Sequence, residues 1–420
     1  MVKDNDKIIW ILSELYYPED SATGHNITNV AEGLAESFQV KALCAQPTYQ
    51  SRGLKAPKNE IHNKVLIHRC SATSLNKDIL LFRLMNLITI SLSIFYNALL
   101  RIREGDIVLV VTNPPTLPFV VNLVCKLRKA KLILRVEDVY PDALVSANML
   151  SSGSVLVKIF NVLQQQLYKS VAHIIVLGRD MMWLVQSKMN YNITNITLIT
   201  NFADSDQITP LPRENNPLLK KLNLLDKFVV QYSGNMGRTH GIENLFECAK
   251  ILENQNSIHF LFIGFGAKEQ WLKNNVKKFG LKNVTVLDLQ PRGELNSSLN
   301  ACDIAVISFV KGMLGVSVPC RMYNIMSAGK PILAISDKNS ELALVVKEEN
   351  IGWVVEPEEP ALIAKAILKA SSSKELLNQI TLRTRSLATQ KYSLSSIKQK
   401  YRDLVSCMLL NDKSGLLDKR

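Results

Sequence analysis

The sequence predicts an α/β protein made of two doubly wound, Rossmann-like domains, and three observations lead there. Each half of the chain alternates short continuous apolar runs of strand length with helical patterns, as buried parallel strands joined by crossover helices require. A polar stretch over 204–225, carrying Pro210, Pro212 and Pro217, breaks the composition between the halves. A chain of 420 residues also exceeds what one core organises, which fits two domains of roughly 200 residues each.

In the first half, strands are expected at 7–13, 39–45, 64–69, 106–112, 131–136 and 173–177, and helices at 27–37, 79–101, 116–129 and 155–171. The second half opens with an apolar strand at 228–232 and a helix at 242–252. Further strands are expected at 257–263, 284–287, 303–307, 332–335 and 351–355, with helices at 268–279, 295–300, 360–370, 373–388 and 393–410. The expected organisation is an N-terminal domain over 1–204, a linker over 205–225, a C-terminal domain over 226–390, and a last helix with a loose tail over 391–420.

Composition narrows the function. Hydrophobic residues at 47% and charged residues at 21% describe an ordinary globular protein, and 50 Lys and Arg against 37 Asp and Glu leave a net charge of +13. Such a balance favours polyanionic partners. No basic run interleaved with aromatics is present, so nucleic acid ranks below a phosphorylated ligand or an anionic membrane surface. Seven cysteines without a C-x-x-C pair argue against a disulfide framework or a zinc site and for a reducing cytoplasm. The polar, acidic start is wrong for a signal peptide. The stretch 79–100 approaches membrane-spanning length, but Arg83, Asn86, Ser91, Ser93 and Asn97 make it too polar to span. A helix buried in the domain and one lying in a membrane interface both stay open.

Chemistry is expected at the carboxyl ends of the strands. The first such loop, Glu14 to Gly24, ends in a glycine, which suits a plain turn and a close backbone approach to a ligand equally. After the fifth strand comes Arg135-Val136-Glu137-Asp138-Val139-Tyr140-Pro141-Asp142, with three carboxylates at a strand end. In the second half, Gly234-Asn235-Met236-Gly237-Arg238-Thr239-His240-Gly241 links a strand to a helix, and its glycines and Arg238 suit a phosphate. The stretch Ser317-Val318-Pro319-Cys320-Arg321-Met322-Tyr323-Asn324-Ile325-Met326-Ser327-Ala328-Gly329-Lys330-Pro331 reads as a helix whose free N–H groups face an anion and which Gly329 and Pro331 stop.

That last stretch resembles the donor-binding helix of family-4 retaining glycosyltransferases of the GT-B fold, in the bacterial branch that builds surface polysaccharides such as O-antigen, capsule and colanic acid. The branch pattern is Pro-Ser-Lys/Arg-x-Tyr-Glu/Asn-x-Met-Ala-Ala-Gly-Lys-Pro; here Cys320 stands for Ser and Ser327 for the first Ala. The resemblance covers nearly the whole chain and implies two Rossmann-like domains facing across a cleft. It implies that Asp138, with Glu137 second, contacts the transferred sugar or the acceptor hydroxyl, since the branch shows Asp-x-Tyr/Trp-Pro there. It implies that Arg321 and the helix start at Cys320, Met322 and Asn324 hold the donor, together with Gly24, Gly234, Asn235, Gly237 and Arg238. Gly264, Gln290 and Arg292 would hold the nucleoside base. The branch has Tyr-Ser-Gly-Asn-Met-Gly where the wider family has Gly-Arg-Leu, so Arg238 or Arg321 supplies the phosphate-binding charge. The chain departs from the family at its glutamate pair: Val316 and Asn324 occupy those positions, and Glu341 is either a substitute ligand or part of a surface turn.

The expected reaction is metal-independent transfer, with retention, of a hexosyl or N-acetylaminosugar unit from a nucleotide sugar, a uridine diphosphate sugar first. No cofactor is expected. The expected acceptor is a lipid-linked saccharide at the cytoplasmic face of the bacterial plasma membrane, where the protein would sit peripherally. Two rivals share the pattern: a GT-B nucleotide-sugar epimerase, and a non-catalytic subunit that tethers a glycosyltransferase to the membrane.

Overall fold

The computed structural model describes residues 7–19, 21–47, 55–73, 75, 80–192 and 194–417. Asp20 and Ile79, which fall within stretches named above, lie outside these residues.

The first domain carries β1 (Ile9–Leu12), α1 (Ala22–Ala35), β2 (Val40–Ala45), β3 (Asn59–His62), β4 (Val65–Cys70), α2 (Leu80–Arg101), β5 (Ile107–Val111), α3 (Leu117–Arg128), β6 (Lys131–Arg135), α4 (Asp142–Ser146), α5 (Val155–Ser170), β7 (His173–Val176), α6 (Arg179–Lys188) and β8 (Ile196–Leu198). Its eight strands run in the order β3-β4-β2-β1-β5-β6-β7-β8. All neighbours are parallel except β3 and β4, a hairpin.

The second domain carries α7 (Pro217–Lys221), β9 (Phe228–Ser233), α8 (Ile242–Ile251), β10 (Ile258–Ile263), α9 (Glu269–Phe279), β11 (Val284–Leu287), α10 (Leu295–Leu299), β12 (Ile304–Ser308), α11 (Arg321–Ser327), β13 (Ile332–Ile335), α12 (Glu341–Glu348), β14 (Gly352–Val355), α13 (Pro360–Ser371), α14 (Lys374–Gln390) and α15 (Leu394–Leu417). Its six strands are ordered β11-β10-β9-β12-β13-β14, all parallel. This is the doubly wound pattern, with the order reversing at β9 and β12.

Strand alternation builds two cores on the first sheet. Trp10, Leu12, Val108 and Val110 face α2, α3 and α5. Ile9, Ile11, Ile107 and Leu109 face α1 and, from the other end of the chain, Ile397, Tyr401 and Val405 of α15. With both faces covered, β5 is buried at every residue, which is why it reads as an unbroken apolar run. A Cβ at Gly33 of α1 would stand 2.4 Å from Lys398 Cγ, so the glycine lets α15 lie close.

Several expectations need correction. The first helix starts at Ala22, not near Ile27, because Ser21 caps it by accepting from the Gly24 N–H at 3.1 Å. Gly24 is therefore inside a helix rather than in a ligand loop. Short elements at β3, β8, α4, α6, α7 and α12 are additional; β3, β8, α4 and α7 run to five residues or fewer, too short to show a period. The last helix runs past Asn411 to Leu417. Within 204–225, Ile208, Leu218, Leu219 and Leu224 are buried in the second core, and Arg213 pairs with Asp303 at 2.7 Å.

The chain crosses between domains twice, side by side: Ala203 donates its N–H to Tyr392 O at 2.8 Å and bridges Ser393.

Candidate functional site in the interdomain cleft

Both sheets reverse their strand order at the cleft, at β1 and β5 in one domain and β9 and β12 in the other, so their carboxyl-end loops converge there.

On the second-domain wall, two turns pass in contact. Gly264 (φ +146°) lies so close to Gly234 (φ +132°) that a Cβ on it would stand 1.9 Å from Gly234 O. Arg321, the first residue of α11, folds over this turn: its Cζ lies 5.0 Å from the centre of the Tyr232 ring. It donates to Ser233 O at 3.3 Å and to His240 Nε2 at 2.7 Å. Among the described residues no carboxylate stands within 4.0 Å of this guanidinium. His240 is stacked on Phe309. Burial, and then the charges of Arg321 and Lys268, hold its imidazole well below the ordinary value of 6.5, so it is neutral and accepts from Arg321. Its buried Nδ1 has no hydrogen-bond partner. Asn235 and Arg238 are exposed at the loop, and Gly237 packs where a Cβ would touch Asn235 Nδ2 and His240 Nδ1, each at 3.2 Å.

On the first-domain wall, buried Arg135 lies 3.3 Å from Glu137 Oε1 and donates to Asn201 Oδ1 at 2.7 Å. Asn26 Nδ2 donates to the same oxygen at 3.1 Å. Thr112 Oγ1 pins the acidic loop by accepting the N–H groups of Glu137 (2.9 Å) and Asp138 (3.2 Å). Burial pushes both carboxyls upward, opposed by Arg135 at Glu137 and by a Ser317 hydrogen bond at Asp138. The loop then pairs across the cleft: Asp138 bridges Ser317 and Val139 donates to Val316 O at 2.9 Å. The acidic loop and the start of α11 are thereby brought together. Burial raises the Cys320 thiol, and the charges of Arg321, Glu137 and Arg135 are all felt there.

Of the other expected residues, some are turned into their own domain and Arg292 crosses to the facing one. Met322 is fully buried in the second core and its N–H donates to Pro319 O at 3.1 Å, so neither its side chain nor its amide faces the cleft. A Cβ at Gly24 would meet Ser21 Oγ at 2.9 Å and Glu19 O at 3.0 Å; the glycine serves cap packing. Gln290 donates to Asp288 O at 2.8 Å. Arg292 reaches the first domain, 2.6 Å from His25 Nδ1, and His25 stands 3.4 Å from Asp204. Asn324 is half-buried on α11. Val316 is buried, with its N–H on Met313 O and its carbonyl on Val139.

Glu341 is no surface turn. It opens α12, is buried, and accepts from Arg179 N and Nε, both at 2.9 Å. Beside it Asp180 Oδ2 accepts from Gly315 N at 3.1 Å, so α6 of the first domain fastens the loop before α11. Sequence reading missed Thr112 and Asp180, and named Arg135 and His240 only within their loops. A buried Arg followed two residues later by Glu at a strand end was the signal available for Arg135. Among the described residues no group of three or more His, Cys, Asp or Glu is placed to hold a metal ion.

Two facing Rossmann-like domains with converging carboxyl-end loops define a protein of the GT-B class, and comparison with solved structures agrees. Sucrose-phosphate synthase from Thermosynechococcus elongatus superposes with a TM-score of 0.74 at 14% identity, covering 96% of this chain and 100% of that one. HepE from Anabaena in complex with UDP-glucose gives 0.70 at 14% identity over 95% and 99%. WaaG, a glycosyltransferase involved in lipopolysaccharide biosynthesis, gives 0.70 at 13% over 94% and 99%. Residues 216–386 match the family described as glycosyl transferases group 1. The chain is related to WbjE of Pseudomonas aeruginosa, named as a glycosyltransferase, at 35% identity over 271 residues, 64% of this chain and 66% of that one. It is 23% identical to WcaI of Escherichia coli K12, named for colanic acid biosynthesis, over 84% of this chain and 90% of that one.

Proposed function

We propose that the protein transfers a glycosyl unit from a nucleotide sugar, a uridine diphosphate sugar first, to a lipid-linked saccharide during surface-polysaccharide assembly. One observation carries this reading: Arg321 holds its charge against the Gly234 turn and a neutral His240, with no carboxylate among the described residues within 4.0 Å to neutralise it. A fixed cation of this kind suits a departing diphosphate, whose charge grows in the transition state. Across the cleft, Asp138 is the group set to face the sugar or the acceptor hydroxyl. Transfer with retention and without a metal completes the reading, because Arg321 supplies the counter-charge. HepE, whose structure carries UDP-glucose, supports the donor class by fold likeness.

The acceptor side is supported by the outer helices. Leu81, Met85, Ile88, Leu92, Tyr96 and Leu100 form one exposed stripe along α2, and α3 and α5 add Leu123, Leu127, Val155, Leu156, Ile159 and Val162. None of the three helices contains an Asp or Glu. An apolar face with only basic charges suits the interface of an anionic membrane. No described helix is long and apolar enough to cross a membrane.

The test is release of nucleoside diphosphate from a panel of nucleotide sugars, with and without extracted lipid-linked acceptor, in the presence of chelator. Turnover with acceptor that survives chelator, and an unchanged anomeric configuration by NMR, are expected. Buried Val316 offers no carboxylate at the family's first glutamate position, which favours the tethering-subunit reading as second. Donor binding without turnover, in every acceptor tried, would install it.

A further inference from the structure

The geometry points to a second anion site, far from the cleft, that takes a phosphate-bearing ligand. It lies at the amino ends of the first-domain strands, whereas the cleft lies at their carboxyl ends. Register sets Trp10, Lys41 and Leu66 side by side on β1, β2 and β4. The carboxyl end of α2 overhangs them, leaving a cavity of about 530 Å³, in the range of small-ligand sites. Lys41, Lys58, Arg101 and Arg103 line it.

Charge makes this cavity more than a surface dent. Among the described residues none of these four cations has a carboxylate within 4.0 Å. The buried carboxylate nearby, Asp106, is turned inward and accepts from Ile8 N, Trp10 Nε1 and Arg103 N. His68 in the same wall is held below 6.5 by burial and then by Arg101, so it adds no charge at neutral pH. Arg101 is held in place: it donates to Asn97 Oδ1 at 2.7 Å and to His68 Nε2 at 3.2 Å. Lys41 lies over the Trp10 ring, 5.5 Å from its centre. Four like charges gathered without a counter-ion repel one another, and a bound anion relieves that repulsion.

The position suggests the source of the phosphate. Leu100, at the mouth, is the last member of the exposed α2 stripe. A lipid headgroup could thus enter while its chains follow the stripe; a soluble phosphate compound would use the same cations. The site does not depend on the glycosyl-transfer reading.

The test uses the full chain with Lys58→Glu/Arg103→Glu, two exposed rim residues, and Lys365→Glu/Lys369→Glu on α13 as a control with the same change in net charge. Co-sedimentation with phosphatidylcholine vesicles, with and without phosphatidylglycerol, reads the lipid arm. Thermal shift with inorganic pyrophosphate, in an Arg321→Ala background that weakens the cleft, reads the soluble arm. For a headgroup site the rim variant loses about tenfold or more of its affinity for anionic vesicles, the control far less, and neutral vesicles bind all forms alike. Unchanged vesicle binding with a lost pyrophosphate shift supports the site and assigns it to a soluble phosphate. If both readouts match the parent, or the control falls equally, the site does not exist. Transfer to a soluble acceptor is expected to be unaffected by the rim changes, which separates failure here from failure of the transferase reading.

Discussion

The two walls of the cleft solve opposite problems. The second-domain wall keeps one charge available: Arg321 rests on a ring, a carbonyl and a neutral imidazole. The first-domain wall uses its charges up internally, with Arg135 against Glu137 and both held by Asn201, Thr112 and burial. Charged residues in a cleft are therefore not equivalent. Those with internal partners hold shape, and those without are left for a ligand.

The contrast can be broken by four measurements. The largest effect is on stability. Glu137→Ala strands buried Arg135, and a loss of about 3–5 kcal/mol by denaturant unfolding is expected; a change under 1 kcal/mol (roughly, within an ordinary surface substitution) would make Glu137 a free group after all. Arg321→Ala is expected to keep the fold and lower kcat by about 10²–10³, as read by nucleoside diphosphate release with circular dichroism alongside. Asp138→Asn is expected to cost about a hundredfold in rate with little change in melting temperature, since the amide still bonds Ser317. The smallest effect is a pH dependence at His240. Its folded value lies below 6.5, so the unfolded chain binds more protons there and stability falls as pH drops below that point. His240→Gln should flatten that part of the curve; an identical curve would show that His240 is not held neutral.

Much of this was legible in the residues. The unbroken apolar run Ile107–Val111 announced a strand covered on both faces, and Gly329, at φ +66°, ends α11 where expected. The contact between Arg321 and the Gly234 turn could be anticipated only by resemblance, since 88 positions separate Arg321 from Ser233. What escaped was tertiary. Gly24 looked like a loop glycine because a cap set by Ser21 three residues earlier carries no periodicity. The resemblance placed Met322 at the donor, and a seven-residue helix shows too little pattern to tell its inner face from its outer one. Glu341 read equally as a substitute ligand or part of a turn because its partner, Arg179, is 162 positions away.

The return of α15 has a consequence for how the protein is made. Ile397, Tyr401 and Val405 complete one face of the sheet that β1 begins, and Lys131 Nζ donates to Met408 O at 2.9 Å. During synthesis, the half translated first cannot finish its interior until residues near 400 have left the ribosome. The second half, from β9 to α14, has all its strands available sooner after its own start. The last-made helix is thus the closing piece of the first-made domain, and a premature stop codon before it would leave that domain with an uncovered greasy flank.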